Sequence, residues 1–403
     1  MNEGFFTKTE VASTSRPDGK SLSCVSCTLY KSCTAPRMKP FGNFKKGIMN
    51  IGEAVSEIDD RYGKPFQGKI GKLLQSTYKK FGVDLFEDCI NINATNCYTE
   101  NTPDNFNIDC CRKFILRYIE EYKPKVIILF GDAPIYSVIG KRWKKDLGVV
   151  VKWRGWQIPD QDYQAFVCPV YAPAFVENFE GKEVTTIWEN DLKLALECVE
   201  SGFPTYVEPK IEIIEDLRVL ETIKDGTDVA FDFETTGLKP HSEGHKIVCC
   251  AVADSAEHCY SFMMPPSKSL RQPFINLLKN KSIGKIAQNM KFEHAWSEVR
   301  LNTIVQGWVW DTMLATHLLD NRQRITSLKF MSLTQLGIYD YDSEIAPYLK
   351  AKDNDNANSI NNIMSFLMLP GGVKKCLTYC GYDAINEMRL SIIQREIIDP
   401  LPF

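Results

Sequence analysis

The ten residues from Val229 to Leu238, VAFDFETTGL, restrict this chain more than any other stretch. An apolar run of strand type delivers Asp232 and Glu234 two residues apart, and the twofold period of a strand puts both carboxylates on one face with Phe233 on the other. Two acids side by side raise each other's pKa unless a cation sits between them. A strand-borne Asp-x-Glu closed by Thr235, Thr236 and Gly237 therefore asks for a divalent metal. Alone, such a pair is more often the solvated acids of an exposed strand edge, so its downstream partners decide.

Those partners are present. KIAQNMKFEHAW, Lys285 to Trp296, is a short apolar segment in which Asn289 and Phe292 precede a third acid, Glu293. In LTYCGYDAINEMRLSII, Tyr379 and Asp383 lie four apart in a helical pattern whose Leu377, Ala384, Met388 and Ile392 form the expected buried stripe. At that spacing a phenol and a carboxylate project from one helix face. These motifs, in this order, resemble the DEDD-type 3′-to-5′ exonucleases, and among them the proofreading domains of family A DNA polymerases and their phage relatives. WDTMLATHLLD, Trp310 to Asp320, resembles the helix those domains carry between their second and third motifs. The likeness spans roughly Ile213 to the C-terminus, with one departure: Glu293 stands where the family has Asp.

The resemblance implies a ribonuclease H-like fold and two-metal phosphodiester hydrolysis with two Mg²⁺ or Mn²⁺ ions. Asp232, Glu234 and Asp383 would hold the metals, Tyr379 would orient the attacking water, and Glu293 would act at longer reach. Single-stranded 3′ ends of DNA are the substrate this implies.

The first half carries a different pattern. Fourteen cysteines in a chain whose polar N-terminus gives no export signal argue for thiolate ligands and buried thiols rather than disulfides. Cys24 and Cys27 form a Cys-x-x-Cys, Cys33 follows, and Cys97, Cys110 and Cys111 come much later. Structural zinc, a redox pair and a cluster are all open at this point. The surrounding segments Ile48 to Leu74, Asn91 to Cys97 and Cys111 to Gly131 resemble, in order, those of family 4 uracil-DNA glycosylases. That likeness implies a [4Fe-4S] cluster on Cys24, Cys27, Cys97 and Cys111, leaves Cys110 without a role and makes Cys33 a candidate to displace one of the four.

By the same likeness Phe66 would stack on a flipped uracil, Asn93 would read its Watson-Crick edge, and Glu53 would belong to the base pocket. The sequence departs from the family at the catalytic stretch, where Gly52-Glu53-Ala54-Val55-Ser56 lacks the usual Pro and Gly, and again at Ala172, which replaces the family's His before Pro173. All five histidines lie beyond this half, from His241 onward. Loss of that stabiliser implies a binding or architectural module.

KRWKKDLGVVVKWRGW, Lys141 to Trp156, interleaves six basic residues with three tryptophans. Lys141, Arg142, Trp143, Lys144, Lys145, Lys152, Arg154 and Trp156 form a candidate DNA-binding set, by phosphate neutralisation and base stacking. The competing reading is a loop whose tryptophans are core and whose lysines are solvated. A net charge of −3 makes any such footprint local.

The expected architecture is α/β in two domains: a flexible tail over 1–20, a glycosylase-like open sheet with its iron-sulfur cluster over 21–200, a linker over 201–212, and the exonuclease domain over 213–403. Strands are expected at 48–51, 126–130, 166–171, 229–233, 246–253 and 258–263, with helices at 68–81, 107–122 and 188–200. Too few residues follow the Tyr-x-x-x-Asp helix for a polymerase domain, so a separate DNA polymerase or replisome protein is the expected partner, unless this is the front of a longer chain. No membrane segment is expected, and the location would be the cytoplasm, that of the host if phage-encoded. A bifunctional enzyme that also excises uracil and a non-cutting replisome scaffold are the alternatives.

Overall fold

The computed structural model describes residues 21–143, 145–179, 181–351 and 358–400. The expected tail over 1–20 and Lys144 lie outside the described residues. The chain divides into two units, residues 1–206 with 333–339 and residues 207–332 with 340–403.

The first unit holds a five-stranded sheet made of β1 (Ile48–Ala54), β2 (Cys89–Thr95), β3 (Val126–Phe130), β4 (Ile158–Asp160) and β5 (Ala165–Val170), in the order β2-β1-β3-β5-β4. Only β4 runs antiparallel to its neighbour. The helices are α1 (Cys24–Cys27), α2 (Glu57–Tyr62), α3 (Lys69–Lys80), α4 (Asn105–Tyr122), α5 (Asp132–Val138), α6 (Val150–Trp153), α7 (Pro173–Asn178) and α8 (Lys182–Glu197). Every residue of β2, β3 and β5 is buried, as a parallel sheet covered on both faces requires. Leu74 and Tyr78 of α3 and Trp188, Leu192 and Leu196 of α8 pack with Ile48, Val126, Ile128 and Phe130 in one core.

Sequence reading gives no strand at 89–95, because alternate asparagines lower the strand signal. Burial of Asn91 is tolerated because its amide is paired. Asn50 Nδ2 donates to Asn91 Oδ1 at 2.9 Å, Asn91 Nδ2 donates to Leu85 O at 2.7 Å, and Tyr78 OH donates to Asn50 Oδ1 at 2.6 Å.

The second unit holds β6 (Lys210–Ile213), β7 (Asp228–Thr235), β8 (Ile247–Ala253), β9 (His258–Met263), β10 (Gly284–Ala287) and β11 (Trp308–Asp311), in the order β11-β10-β7-β8-β9-β6. β7, β8 and β9 form an antiparallel meander, and the outer pairings are parallel. Its helices are α9 (Gln272–Lys279), α10 (Met290–Leu301), α11 (Thr312–Leu319), α12 (Leu328–Leu336), α13 (Ala346–Leu349), α14 (Ile363–Leu367) and α15 (Gly372–Ile398). Phe231 and Phe233 point to the face covered by Phe274 of α9 and Trp296 of α10, while α15 crosses β7, β8 and β9. The end of the expected linker is β6, which pairs with β9. The expected stripe on α15 also needs correcting. Leu377, Ala384 and Met388 are buried but Ile392 is 44% exposed, because the last turns of the helix bury Ser391, Gln394 and Ile398 instead. Among the described residues, no helix is long and apolar enough to cross a membrane.

Candidate functional site

The alternation of β7 sends Asp232 and Glu234 to the face opposite Phe231 and Phe233, where α15 delivers Asp383. One carboxylate oxygen from each of Asp232, Glu234 and Asp383 lies within 4.8 Å of the others. Tyr379, one turn before Asp383, is buried beside them. Glu293 occupies the first turn of α10, buried at 2% exposure with its Oε2 unpartnered, and stands outside the trio. Asp311 positions that turn: its carboxylate accepts from the amides of Asn289 (3.2 Å) and Met290 (3.0 Å) while capping α11.

Three groups that sequence reading missed complete the surroundings. Lys329 of α12 forms an ion pair with Asp383 Oδ1, and its ammonium lies 4.1 Å and 4.3 Å from the ring centroids of Tyr341 and Tyr379. Tyr341 OH donates to the same Asp383 oxygen at 2.7 Å. Glu387, one turn beyond Asp383, is fully buried with neither oxygen hydrogen-bonded. The i, i+4, i+8 spacing of Tyr379, Asp383 and Glu387 was the signal available for the last. The other two carried none.

Electrostatics follow from this crowding. Burial, and then repulsion from Asp383, raises Asp232 to about 7, with Lys329 partly offsetting both. Burial and then the Asp232 charge push Glu234 and Glu293 well above the carboxylate range. Glu387 is raised by burial first, then by Asp232, Glu293 and Asp383, and the nearby Gln288 amide lowers it only slightly without making a hydrogen bond. Burial and then Asp383 likewise raise Tyr379, which keeps its phenol protonated. An all-oxygen donor set from Asp232, Glu234 and Asp383, with the unpartnered oxygens of Glu293 and Glu387 beside it, fits a hard divalent cation.

In the first unit, Gly52, Glu53, Phe66, Asn93, Phe130 and Ala172 line one cavity of about 380 Å³. Asn93 Nδ2 is buried and without a partner. Phe66 sits at φ 58° with its ring edge-on to Phe130, 6.3 Å between centroids. Gly52 is required beneath it, since a Cβ there would lie 2.3 Å from Asn93 Oδ1 and 3.0 Å from the Phe66 ring. Burial, and then Asp132, raises Glu53, while the Asp132 and Ala133 amides pull it partly back. Ala172, at the start of α7, offers the cavity a methyl group only.

Cys24, Cys27, Cys97, Cys110 and Cys111 line a second cavity of about 200 Å³. Arg37 N donates to Cys97 Sγ at 3.3 Å and Asn107 Nδ2 to Cys27 Sγ at 3.4 Å, the donors a thiolate needs. Burial raises Cys97 and Cys110 to about 11 and Cys111 to about 12. Cys33 lies against Cys97. Two neighbouring acids of α2 connect this loop to the base pocket. Asp60 accepts from Thr34 N (2.8 Å) and Ala35 N (2.7 Å), and Asp59 accepts from Gln67 N (2.7 Å), next to Phe66.

The basic and aromatic stretch does not face outward as expected. Arg142 is buried and paired with Asp160 and Asp162, Arg154 is paired with Asp191 at 2.8 Å, and Trp143 packs edge-on against the buried Trp153 at 5.9 Å. A buried guanidinium requires such partners, so Arg142 and Trp143 are structural, and the half-buried Arg154 is engaged by Asp191. Lys141 and Lys145 are exposed, while Lys152 and Trp156 are half-buried.

Comparison with known proteins gives two matches along the chain. Residues 39–193 match the uracil DNA glycosylase superfamily, and residues 211–369 match a 3′-5′ exonuclease family, a span that ends before Tyr379 and Asp383. A type-4 uracil-DNA glycosylase of Saccharolobus solfataricus is 30% identical over 184 residues, covering 44% of this chain and 82% of that protein. A DNA polymerase of Bacillus phage SP01 is 23% identical over 362 residues, covering 80% of this chain but 38% of that protein. Among solved structures, Brucella melitensis NrnC with bound Mg²⁺ aligns at 17% identity over 47% of this chain and 80% of its own, with a TM-score of 0.34.

Proposed function

The chain belongs to the type-4 uracil-DNA glycosylase family through its first half and carries a 3′-5′ exonuclease domain in its second, and from this we propose a metal-dependent 3′-to-5′ DNA exonuclease coupled to a DNA-binding module that excises no uracil at a useful rate. The observation that carries the nuclease reading is the convergence of Asp232, Glu234 and Asp383 within 4.8 Å, beside Tyr379. Two Mg²⁺ or Mn²⁺ ions on these carboxylates would supply the Lewis acidity for an activated water and a stabilised leaving 3′ oxygen. Tyr379, protonated at neutral pH, can hold the attacking water by its phenol oxygen. Tyr341 and Lys329 fix the rotamer of Asp383. Glu293, with its free oxygen, serves a longer-range role.

Incubation with end-labelled single-stranded DNA tests this. The parent chain should shorten the 3′ end with Mg²⁺ and fail with EDTA, and Asp232→Ala should not cut. Digestion by Asp232→Ala at the parent's rate would overturn the assignment.

A [4Fe-4S] cluster on Cys24, Cys27, Cys97 and Cys111 is supported by their shared cavity. The amides that donate to Cys97 and Cys27 in that cavity suit thiolate ligands. At Ala172 the base pocket offers the leaving uracil a methyl group, which can neither hydrogen-bond nor carry charge. A bifunctional enzyme is the second reading, favoured by the unpartnered Asn93 amide and the buried Glu53 in the cavity. A single-turnover assay of Asp232→Ala on uracil-containing DNA separates the two, and rapid formation of abasic sites would establish the bifunctional one. The phage polymerase likeness supports a role beside a DNA polymerase in phage-type replication in the host cytoplasm. Lys141, Lys145 and Lys152 are the remaining candidates for binding DNA phosphates.

A further inference from the structure

The second unit contains another cavity, of about 450 Å³, whose lining divides into cationic and apolar side chains. The cations are Lys246, Arg271 and Arg300, joined by the imidazole of His245, and none of the described lining residues is acidic. Both arginines are held by backbone carbonyls. Arg300 Nη2 donates to Ser242 O at 2.7 Å, and Arg271 donates to Pro265 O and, at 2.9 Å, to Pro266 O. These acceptors carry no net charge, so they position the guanidinium groups without neutralising them. His245 is 2% exposed, and its Nε2 donates to Asn358 O at 2.9 Å, which leaves Nδ1 without a partner. The buried Nε of Arg300 also has none. Fixed, unneutralised cations with an N–H still to satisfy favour an anion.

The apolar part of the lining indicates which kind. Met263, Met264 and Met364 are half-buried and share the cavity with the buried Val248 and Leu301. Thioethers pack well against aromatic rings and adapt to their shape, whereas a bare phosphate gains nothing from such a wall. An anion with a flat apolar body matches both parts, and the volume lies in the range of small-ligand pockets. Asp232, Glu234, Tyr379 and Asp383 are not in the lining. Arg271 stands at the N-cap of α9 and Arg300 in the last turn of α10, the helices that cover the opposite, Phe231 and Phe233 face. We propose that this cavity binds a free 5′-mononucleotide, its base against the methionines and its phosphate on the arginines and Lys246. The choice of ligand rests on the exonuclease reading, because hydrolysis with a leaving 3′ oxygen releases a nucleoside that carries the phosphate on its 5′ side.

Equilibrium dialysis of dAMP against the Asp232→Ala chain in EDTA tests this, since both changes remove metal-held product from the exonuclease centre. The chain should still bind dAMP. Arg271→Gln, Arg300→Gln and Lys246→Gln should each weaken binding about tenfold, the scale of a hydrogen bond to a charged group, and Arg300→Lys should recover part of the loss. Lys246 is exposed, so its variant keeps the test sharp if an arginine variant folds poorly. Deoxyadenosine and inorganic phosphate, which each carry one half of the recognised chemistry, should compete only weakly. Absence of dAMP binding, or binding that all three glutamine variants leave unchanged, overturns the site. Inorganic phosphate or octanoate displacing dAMP at equal concentration overturns the nucleotide assignment. A parent chain that binds dAMP in this way yet shortens no labelled strand under Mg²⁺ defeats the exonuclease reading alone.

Discussion

Around Asp383, single side chains set the behaviour of the whole exonuclease centre. Tyr379→Phe should slow hydrolysis about a hundredfold, the scale of a lost positioning contact, whereas Asp383→Ala should abolish it, both read by 3′-end digestion under Mg²⁺. The raised pKa of Asp232 gives a pH test with a definite sign. Its folded value of about 7 stands above the ordinary 3.8, so in EDTA the folded chain takes up this proton before the unfolded one does. Asp232 therefore costs stability above pH 7, and that cost is relieved as the pH falls from about 7 towards 4. Thermal melts of the parent against Asp232→Asn should show the parent gaining on the variant across that window in EDTA, and the gain should vanish with Mg²⁺. A difference that stays flat in EDTA would refute the assignment. Glu387→Gln, which removes a carboxyl that costs free energy to ionise where it is buried, should raise the melting temperature in EDTA at alkaline pH and shrink the stabilisation that Mg²⁺ gives. In the other half, Ala172→His should raise uracil excision about a hundredfold by returning a donor to the leaving base, as single-turnover assays would show.

At the level of elements, sequence periodicity exposed the long, regular pieces and hid the short or polar ones. β3 and β8 are continuous apolar runs, β7 contains the short run Val229 to Phe231, and α3 and α4 carry clear helical stripes, so these were legible. β6, β10 and β11 have four residues each, too few to show a period, and β2 disguises itself with buried asparagines. The ordered acidic motifs were readable because a strand and a helix each fix the spacing of their own pair. Lys329 and Tyr341 were not, because only tertiary structure brings them to Asp383. The basic stretch misled for a related reason: composition counts charges but not their partners, and Asp160 and Asp191 claim two of the arginines. Gly71 in the first turn of α3 shows how tightly an element can be tied to a pocket. A Cβ there would lie 1.7 Å from Phe66 O, so Gly71→Ala must displace the stacking residue. It should cost about 1 to 3 kcal/mol in a denaturant titration, as overpacking does, and weaken binding of uracil-containing DNA more than it weakens 3′-end cleavage.

For the whole molecule, two chemistries share one chain, and each should be removable separately. Anaerobically prepared protein should be brown with four irons per chain, an expectation that follows from thiolate ligation of the cluster proposed here. Cys24→Ser or Cys111→Ser should lose the colour and destabilise the first unit, while Cys198→Ser and Cys376→Ser should keep it, as iron analysis and visible absorption would record. Zinc in place of iron would overturn the cluster. The helix α2 carries a consequence for such iron-free protein. It is only six residues long, yet Asp60 braces the cysteine loop and Asp59 braces the turn that presents Phe66. The two carboxylates act as the ends of a rocker arm: when the loop slackens at one end, the aromatic ring would tilt at the other. Oxidative loss of iron would then be felt at the DNA surface before any unfolding, so the molecule would release a damaged base while its nuclease goes on working. A 2-aminopurine probe placed opposite Phe66 would register that release as a rise in fluorescence while 3′ ends continue to shorten.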